Sequence, residues 1–429
     1  MARQTDPKLQ SQVIYSVYLR SHTPEGTFRA LIPDLDRIRA LGTDIIWLLP
    51  IHPIGVQGKK GSLGCPYANR DYRSTNPAYG TMEDFRALAD AIHARGMKLM
   101  IDVVYNHTSP DSVLFAEHPE FFYRGPDGRP GNRNGDWSDV IDLDYDRTAL
   151  WDYQIRTLCR WAEIVDGFRC DVASFVPLPF WKWARQAVEQ VRPGCIWLAE
   201  TVHTDFGNAA RRRGINAAKD YEMYEAFDIE YEYDVRRSFD RFLRGEAKLS
   251  DWMEALNTQE AIYPDNYNKL RFLENHDQPR IASLVKEERL LRSYTALLYF
   301  LKGTTLLYAG QEFENTRRPS LFERELIERD TGRDLSAFLR RLYEIKREEL
   351  DADDFFVAAA DDERQIAVLE RENARRGKCG VFPLAGRGGE IEVPAPDGDY
   401  DERIGGGRVS VKNGKIFCPG EPLIFTWPR

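Results

Sequence analysis

Cysteine is sparse and scattered: six residues, at 65, 159, 170, 195, 379 and 418, with no Cys-x-x-Cys pair. That argues against a disulfide framework or a zinc site and predicts a reducing, cytoplasmic location. No run reaches the ~18 apolar residues that span a bilayer. The N-terminal MARQTDPKLQSQ also lacks the apolar core of a signal peptide. Positive charge is not in excess: 59 Lys and Arg against 68 Asp and Glu leave a net charge of −9. Nucleic acid and anionic membrane both need a basic surface, so neither is expected as a partner. Internal repeats and low-complexity tracts are missing too. So is the glycine-rich phosphate turn of a doubly wound nucleotide-binding sheet: the first strand-like run is followed by RSHTPEGTF (20–28).

What is present is aromatic and periodic. The 429 residues include 9 Trp, 20 Tyr and 22 Phe. From residue 13 to about 350, strand-like apolar runs alternate with helical patterns. VIYSVYL (13–19), DIIWLLP (44–50) and MKLMIDVV (97–104) read as strands, and 165–169, 195–199, 227–231, 269–273 and 304–308 continue the series. Helical spacing joins Phe28, Leu31, Ile32, Leu35, Ile38 and Leu41 before Gly42. A Thr81-capped helix carries Phe85, Leu88 and Ile92 on one face before Gly96. Eight near-continuous apolar strands with helices between them predict a closed (β/α)8 barrel of parallel strands, residues 1–107 and 147–349. An open doubly wound sheet is the rival. The Gly-, Pro-, Asn- and Asp-rich segment 108–146 predicts a small inserted subdomain after the third strand. Short alternating runs then take over, with Asn413-Gly414 as a hairpin signal. They predict a separate antiparallel β-sandwich domain over 350–429.

In such a barrel, function sits at the C-terminal ends of the strands. The third strand ends in Asp102-Val-Val-Tyr-Asn106-His107, the fourth in Arg169-Cys-Asp171, the fifth in Glu200 and the seventh in Glu274-Asn275-His276-Asp277. Arg169 and Asp171 are two apart, which in strand geometry aims both side chains to one side. Each element alone has a bland reading: an ion pair, a solvated loop carboxylate, a loop cap. Their joint occurrence at four strand ends predicts acid–base or nucleophilic chemistry. Glycoside hydrolysis needs one carboxylate at the anomeric carbon and a second, protonated one at the leaving oxygen. Arg169 would keep its neighbour Asp171 ionised, the histidines would donate to sugar hydroxyls, and the aromatics would stack on sugar rings.

The segments DVVYNH (102–107), GFRCDVAS (167–174), WLAET (197–201) and FLENHD (272–277) closely resemble, in order and spacing, the four signature regions of the α-amylase superfamily of glycoside hydrolases. LGTDIIWLLPIHPIG (41–55) and the stretch 66–107 extend the resemblance, which covers roughly residues 13–345. It implies Asp171 as nucleophile, Glu200 as acid/base, and Asp277 as the third carboxylate, gripping the hydroxyls of the sugar in subsite −1. It implies substrate binding by Tyr67, His107, Arg169 and His276, and a structural role for Asp102. The reaction implied is retaining cleavage of α-1,4-glucosidic bonds in maltodextrins or starch-type glucans. An exo-α-glucosidase or a transglycosylase on the same scaffold is the alternative, and a catalytically inactive carbohydrate-binding protein is the alternative of another class. Three departures from the family pattern bear on substrate and metal. Ser174-Phe175 replace a Lys-His pair. Asn106 matches a calcium-ligand Asn, but one carboxamide does not make a site that wants six or more oxygens. Asp136, Asp139, Asp142 and Asp144 are the nearest supplement, read more simply as turn formers, so no metal is expected. Ala68 stands where exo-acting members have Asp, favouring an open cleft, whereas HDQPR (276–280) resembles their fourth region, with Arg280 placed to close a pocket.

Overall fold

The computed structural model describes residues 5–134 and 137–429. Asp136, one of the aspartates weighed for calcium, lies outside the described residues. Eight parallel strands close a barrel in sequence order: β1 Val13–Val17, β2 Ile45–Leu48, β3 Lys98–Val103, β4 Gly167–Cys170, β5 Ile196–Ala199, β6 Ile229–Tyr231, β7 Lys269–Arg271 and β8 Thr304–Tyr308. β8 returns to β1, with Val13 opposite Thr305. Each strand overlaps one of the apolar runs of the sequence. Filled interior and helical jacket bury both faces, which is why these strands read as continuous rather than alternating. β7 is the exception. Lys269 and Arg271 are buried charges, held by Glu230 at 3.3 Å and Glu232 at 3.1 Å.

The helices follow their local signals. Met82–His93 begins with a capping box, Thr81 and Asp84 each bonding the other's backbone, and buries Phe85, Leu88, Ala89 and Ile92 on one face. The pattern from Phe28 to Leu41 is not one helix. Pro33 lacks an N–H, and Ile32–Asp34 tightens into a 3-10 turn between Phe28–Leu31 and Leu35–Ala40. The insertion after β3 has little regular structure. His107–Thr108 pairs with Ile141–Asp142, and a short helix spans Val113–Glu117.

Beyond the barrel helix Ser336–Glu349 the chain is antiparallel. β9 Phe355–Asp361, β10 Ile366–Glu372, β11 Arg376–Pro383 and β16 Leu423–Pro428 form one sheet in the order β9-β10-β11-β16. β12 Gly389–Glu392 pairs with β15 Lys415–Cys418, and β13 Gly398–Asp401 with β14 Arg408–Val411. Ile366, Val381, Ile391, Val411, Phe425 and the buried Trp427 share the core between them. The Asn413-Gly414 turn forms with both φ angles positive, but its two strands diverge after the Lys412–Lys415 bridge and pair elsewhere. The sheet docks on helix Leu249–Ile262, where Asn257 exchanges two 2.8 Å hydrogen bonds with the backbone of Ala358. No helix among the described residues is long and apolar enough to cross a membrane.

Candidate active site

Strand register assembles the charged centre. β3 and β4 set Asp102 opposite Arg169. Both point into the barrel and are fully buried. The ladder then continues past the strand ends: Asp171 N–H donates to the Val103 carbonyl at 2.9 Å and Glu200 N–H to the Cys170 carbonyl at 3.0 Å. Arg169 therefore sits beneath three carboxylates. Its Nη1 lies 2.9 Å from Asp102 and 2.8 Å from Asp171, and its Nη2 lies 2.9 Å from Glu200. Asp171 and Glu200 thus stand on the two terminal nitrogens of one guanidinium. The aromatic faces of Trp47, Tyr67 and Tyr231 surround the cation at 5.3–5.6 Å.

One backbone feature locks this arrangement. Val172, directly after Asp171, has φ 36° and ψ 44°. A β-branched residue in the left-handed region costs of order 1–3 kcal/mol. In return its N–H points at Glu200 and donates to Oε2 at 2.8 Å. Asp277 enters from the far side, 3.1 Å from His276 Nε2. The Tyr67 hydroxyl bonds His276 Nε2 at 2.7 Å and donates to Asp102 at 3.1 Å, while the two rings stack at 5.4 Å. His107 Nε2 lies 4.0 Å from Asp171.

These groups surround a cavity of about 280 Å³ whose wall includes Asp171, Glu200, Asp277, Tyr67 and His107. Its electrostatics separate the carboxyls. Burial pushes Glu200 up to about 7 against the pull of Arg169, with Asp171 and Asp277 adding repulsion. Burial pushes Asp171 up to about 6, again opposed by Arg169. Burial, the largest single influence, would also raise Asp277, but the adjoining His276 together with Arg169 and Arg318 holds that carboxyl at about 2. Burial lowers His107, so its ring is neutral near pH 7. Arg169 does not keep Asp171 at an ordinary carboxylate value: one cation is shared among three acids, and desolvation wins. The order survives, with Asp277 the strongest acid and Glu200 the weakest, and the protons belong to the set as a whole.

The barrel and its insertion match the model of the alpha amylase catalytic domain over residues 10–138 and 134–351. The chain belongs to the α-amylase family. Residues 358–425 match the bacterial alpha amylase C-terminal domain. An alpha-amylase from Lactobacillus plantarum is 42% identical with a TM-score of 0.94, the match covering 98% of this chain and 100% of that one. The noncanonic maltogenic alpha-amylase AmyB from Thermotoga neapolitana is 31% identical with a TM-score of 0.87 and coverage of 98% and 100%. The alpha-amylase MalA of Haloarcula japonica is 27% identical over 328 residues, 73% of this chain. The chain spans 46% of that relative's length.

Within this α-amylase-family barrel, three sequence-predicted substrate-binding groups do not line the cavity: Arg169 and His276, which touch its carboxylates from behind, and Arg280. Arg280 is 1% exposed and does not line the cavity. Its guanidinium pairs with Glu274 and donates to the Ala309 carbonyl at 2.7 Å. A cation buried so must satisfy its donors locally, so it closes no pocket. Phe175, at the family's Lys-His position, packs 5.3 Å from Phe206, and Ser174 is fully buried. Around Asn106 the aspartates are engaged elsewhere: Asp139 with Lys60 at 2.9 Å, Asp142 with the Arg133 N–H at 2.8 Å, Asp144 with Arg147 at 3.4 Å. The Asn106 amide nitrogen faces His107 Nδ1 at 3.1 Å. Among the described residues of the insertion, Asp142 Oδ1 and Asn132 Oδ1 are buried without a partner. Cavity residues outside the site read from the sequence are Trp137, whose ring lies 5.2 Å from His107, Lys60, Cys65, Val140, Val172, and Leu321 and Phe322 after β8; Asp139, weighed there only for calcium, also lines the cavity.

Proposed function

We propose that the protein is a retaining glycoside hydrolase that cleaves α-1,4-glucosidic bonds of maltodextrins and starch-type glucans by double displacement. The observation that carries this reading is the placing of Asp171 and Glu200 on one guanidinium in one cavity, with the second the weaker acid. In the first step the Asp171 carboxylate attacks the anomeric carbon. The bond to the leaving oxygen breaks, and that oxygen takes the Glu200 proton. In the second, Glu200 removes a proton from water, the water oxygen attacks the same carbon, and Asp171 is released. Asp277, ionised throughout, accepts hydrogen bonds from two hydroxyls of the same sugar. His276 and Tyr67 hold Asp277 and the sugar face, and neutral His107 donates to a hydroxyl.

Relatives described as alpha-amylases, one of them maltogenic, support the substrate class. The three intact carboxyls speak against an inactive binding protein. No cofactor takes part in the proposed reaction, and the calcium weighed at Asn106 is given no role. Six free thiols fit the cytoplasmic location expected from the sequence. The experiment is turnover of maltoheptaose by Asp171→Asn and Glu200→Gln variants that melt like the parent. Losses of at least ~10³-fold are expected for Asp171→Asn. Parental turnover in either variant would overturn the assignment.

A further inference from the structure

Across the barrel mouth from Glu200 the cavity is lined by two segments that no step above uses. β5, which leads into Glu200, lies four strands from β1 in either direction round the barrel. On the β1 side the segment after β2 (59–66) meets the segment after β8 (320–325). Leu63 N–H donates to the Phe322 carbonyl at 3.1 Å, and Ser62 binds Glu323 through its N–H at 2.8 Å and through its hydroxyl. Gly61 lets the two approach: its φ is +65°, and a Cβ there would stand 2.6 Å from Phe322 Cβ. Lys60 and Cys65 from one segment and Leu321 and Phe322 from the other face the cavity.

Arg20, three residues past β1, clasps the pair. Its guanidinium donates to the Leu321 carbonyl at 3.1 Å, to Gly64 at 3.3 Å and to Leu63 at 3.4 Å, and the residue is 8% exposed. The Tyr18 hydroxyl adds a 3.2 Å bond to the Leu321 carbonyl. A cation this buried tolerates its site only while those carbonyls stay in place, so the clasp fixes both segments.

An acid that protonates the leaving oxygen faces the part of the substrate that departs. With Glu200 across the barrel mouth, these two segments bound the part that stays. We infer that the Arg20-clasped wall closes the non-reducing-end side of the site, so that the enzyme works inward from free chain ends and releases short products. This rests on the roles proposed above for Asp171 and Glu200. Arg20 is then a positioning residue for substrate length, filling the part that Arg280 does not play.

The test uses two maltoheptaosides with one reducing-end chromophore, one of them carrying a cyclic ketal on its non-reducing terminal sugar, with products read by chromatography. The parent enzyme is expected to cleave the free substrate at least ~10-fold faster in kcat/KM than the capped one. Equal rates would overturn the wall while leaving the hydrolase reading intact. Cleavage of neither would overturn both. Gly61→Ala, on an exposed loop, should wedge the segments apart, raise the capped-to-free ratio several-fold and lengthen the products, and Arg20→Ala should do the same more strongly. Loss of Arg20→Ala to misfolding would leave the test standing, since an unchanged ratio in folded Gly61→Ala overturns the clasp on its own.

Discussion

Replacing Arg169 by Met should convert the centre of the site into three buried acids with no counter-ion. Arg169 is the strongest influence opposing burial at Asp102, Asp171 and Glu200, which lie at about 6, 6 and 7 with it in place. Without it all three rise further. A rise of roughly one unit at each group, at 1.36 kcal/mol per unit, gives a loss of ~4 kcal/mol. That agrees with the ~3–5 kcal/mol typical of breaking a buried pair. The sign follows from proton binding. A carboxyl whose folded pKa lies above its unfolded value near 4 loses folded-state stability as pH rises between the two. Raising the folded value extends that loss upward. The difference between parent and variant should therefore be near zero below pH ~4, grow through pH 6 to 7, and level off above pH ~8. Denaturant unfolding at pH 4, 6 and 8 measures it even if the variant is inactive. A penalty equal at all three values would show that Arg169 acts by packing rather than by charge.

Three further outcomes follow from the same geometry. The parent's kcat/KM should be bell-shaped, with limbs near about 6 and 7 that belong to the coupled Asp171 and Glu200 set; Glu200→Gln should lose ~10²–10⁴-fold on maltoheptaose together with the basic limb. A basic limb that persists in that variant would assign the proton to another group. Val172→Gly should relieve left-handed strain of ~1–3 kcal/mol at an entropic cost of ~0.5–1 kcal/mol. It should leave the melting temperature unchanged or higher while lowering kcat, and a large drop in melting temperature would refute stored strain. Exhaustive chelation should change neither activity nor melting temperature; a loss restored by calcium would contradict the metal-independent reading.

The fold was legible wherever burial is two-sided. Seven of the barrel strands were marked by apolar runs, because parallel strands inside a helical jacket carry little polar face to blur them; β7, with Lys269 and Arg271, was legible only through the apolar residues that follow it. The alternating runs of the C-terminal domain, at 365–370, 380–384, 390–393, 408–411, 415–418 and 423–427, leave out two strands: the polar GDYD of β13, and β9, whose FFVAAAD is rich in alanine, which has little preference for strand, and which the helix bearing Asn257 stabilises from outside. The hairpin at Asn413-Gly414 was half right, since turn chemistry is local but the choice of strand partners is not. In the site, residues on or just after strands were legible because register fixes them. Trp137, Lys60, Leu321 and Phe322 come from loops whose path no periodicity encodes. Val172 carries no sequence signal at all, a branched residue being the least expected occupant of a left-handed position. Arg280 misled because a local pattern does not reveal that Glu274, six residues earlier, takes its charge.

The account turns on a covalent bond to one oxygen. An activated fluorinated maltosyl donor, whose electron-poor ring slows the second step more than the first, should leave a single glycosyl group on the protein. Peptide mass mapping should find it on Asp171 and lose it in Asp171→Asn. A sugar mapped to Glu200 or Asp277, or a product released with inverted configuration and no adduct, would contradict the mechanism.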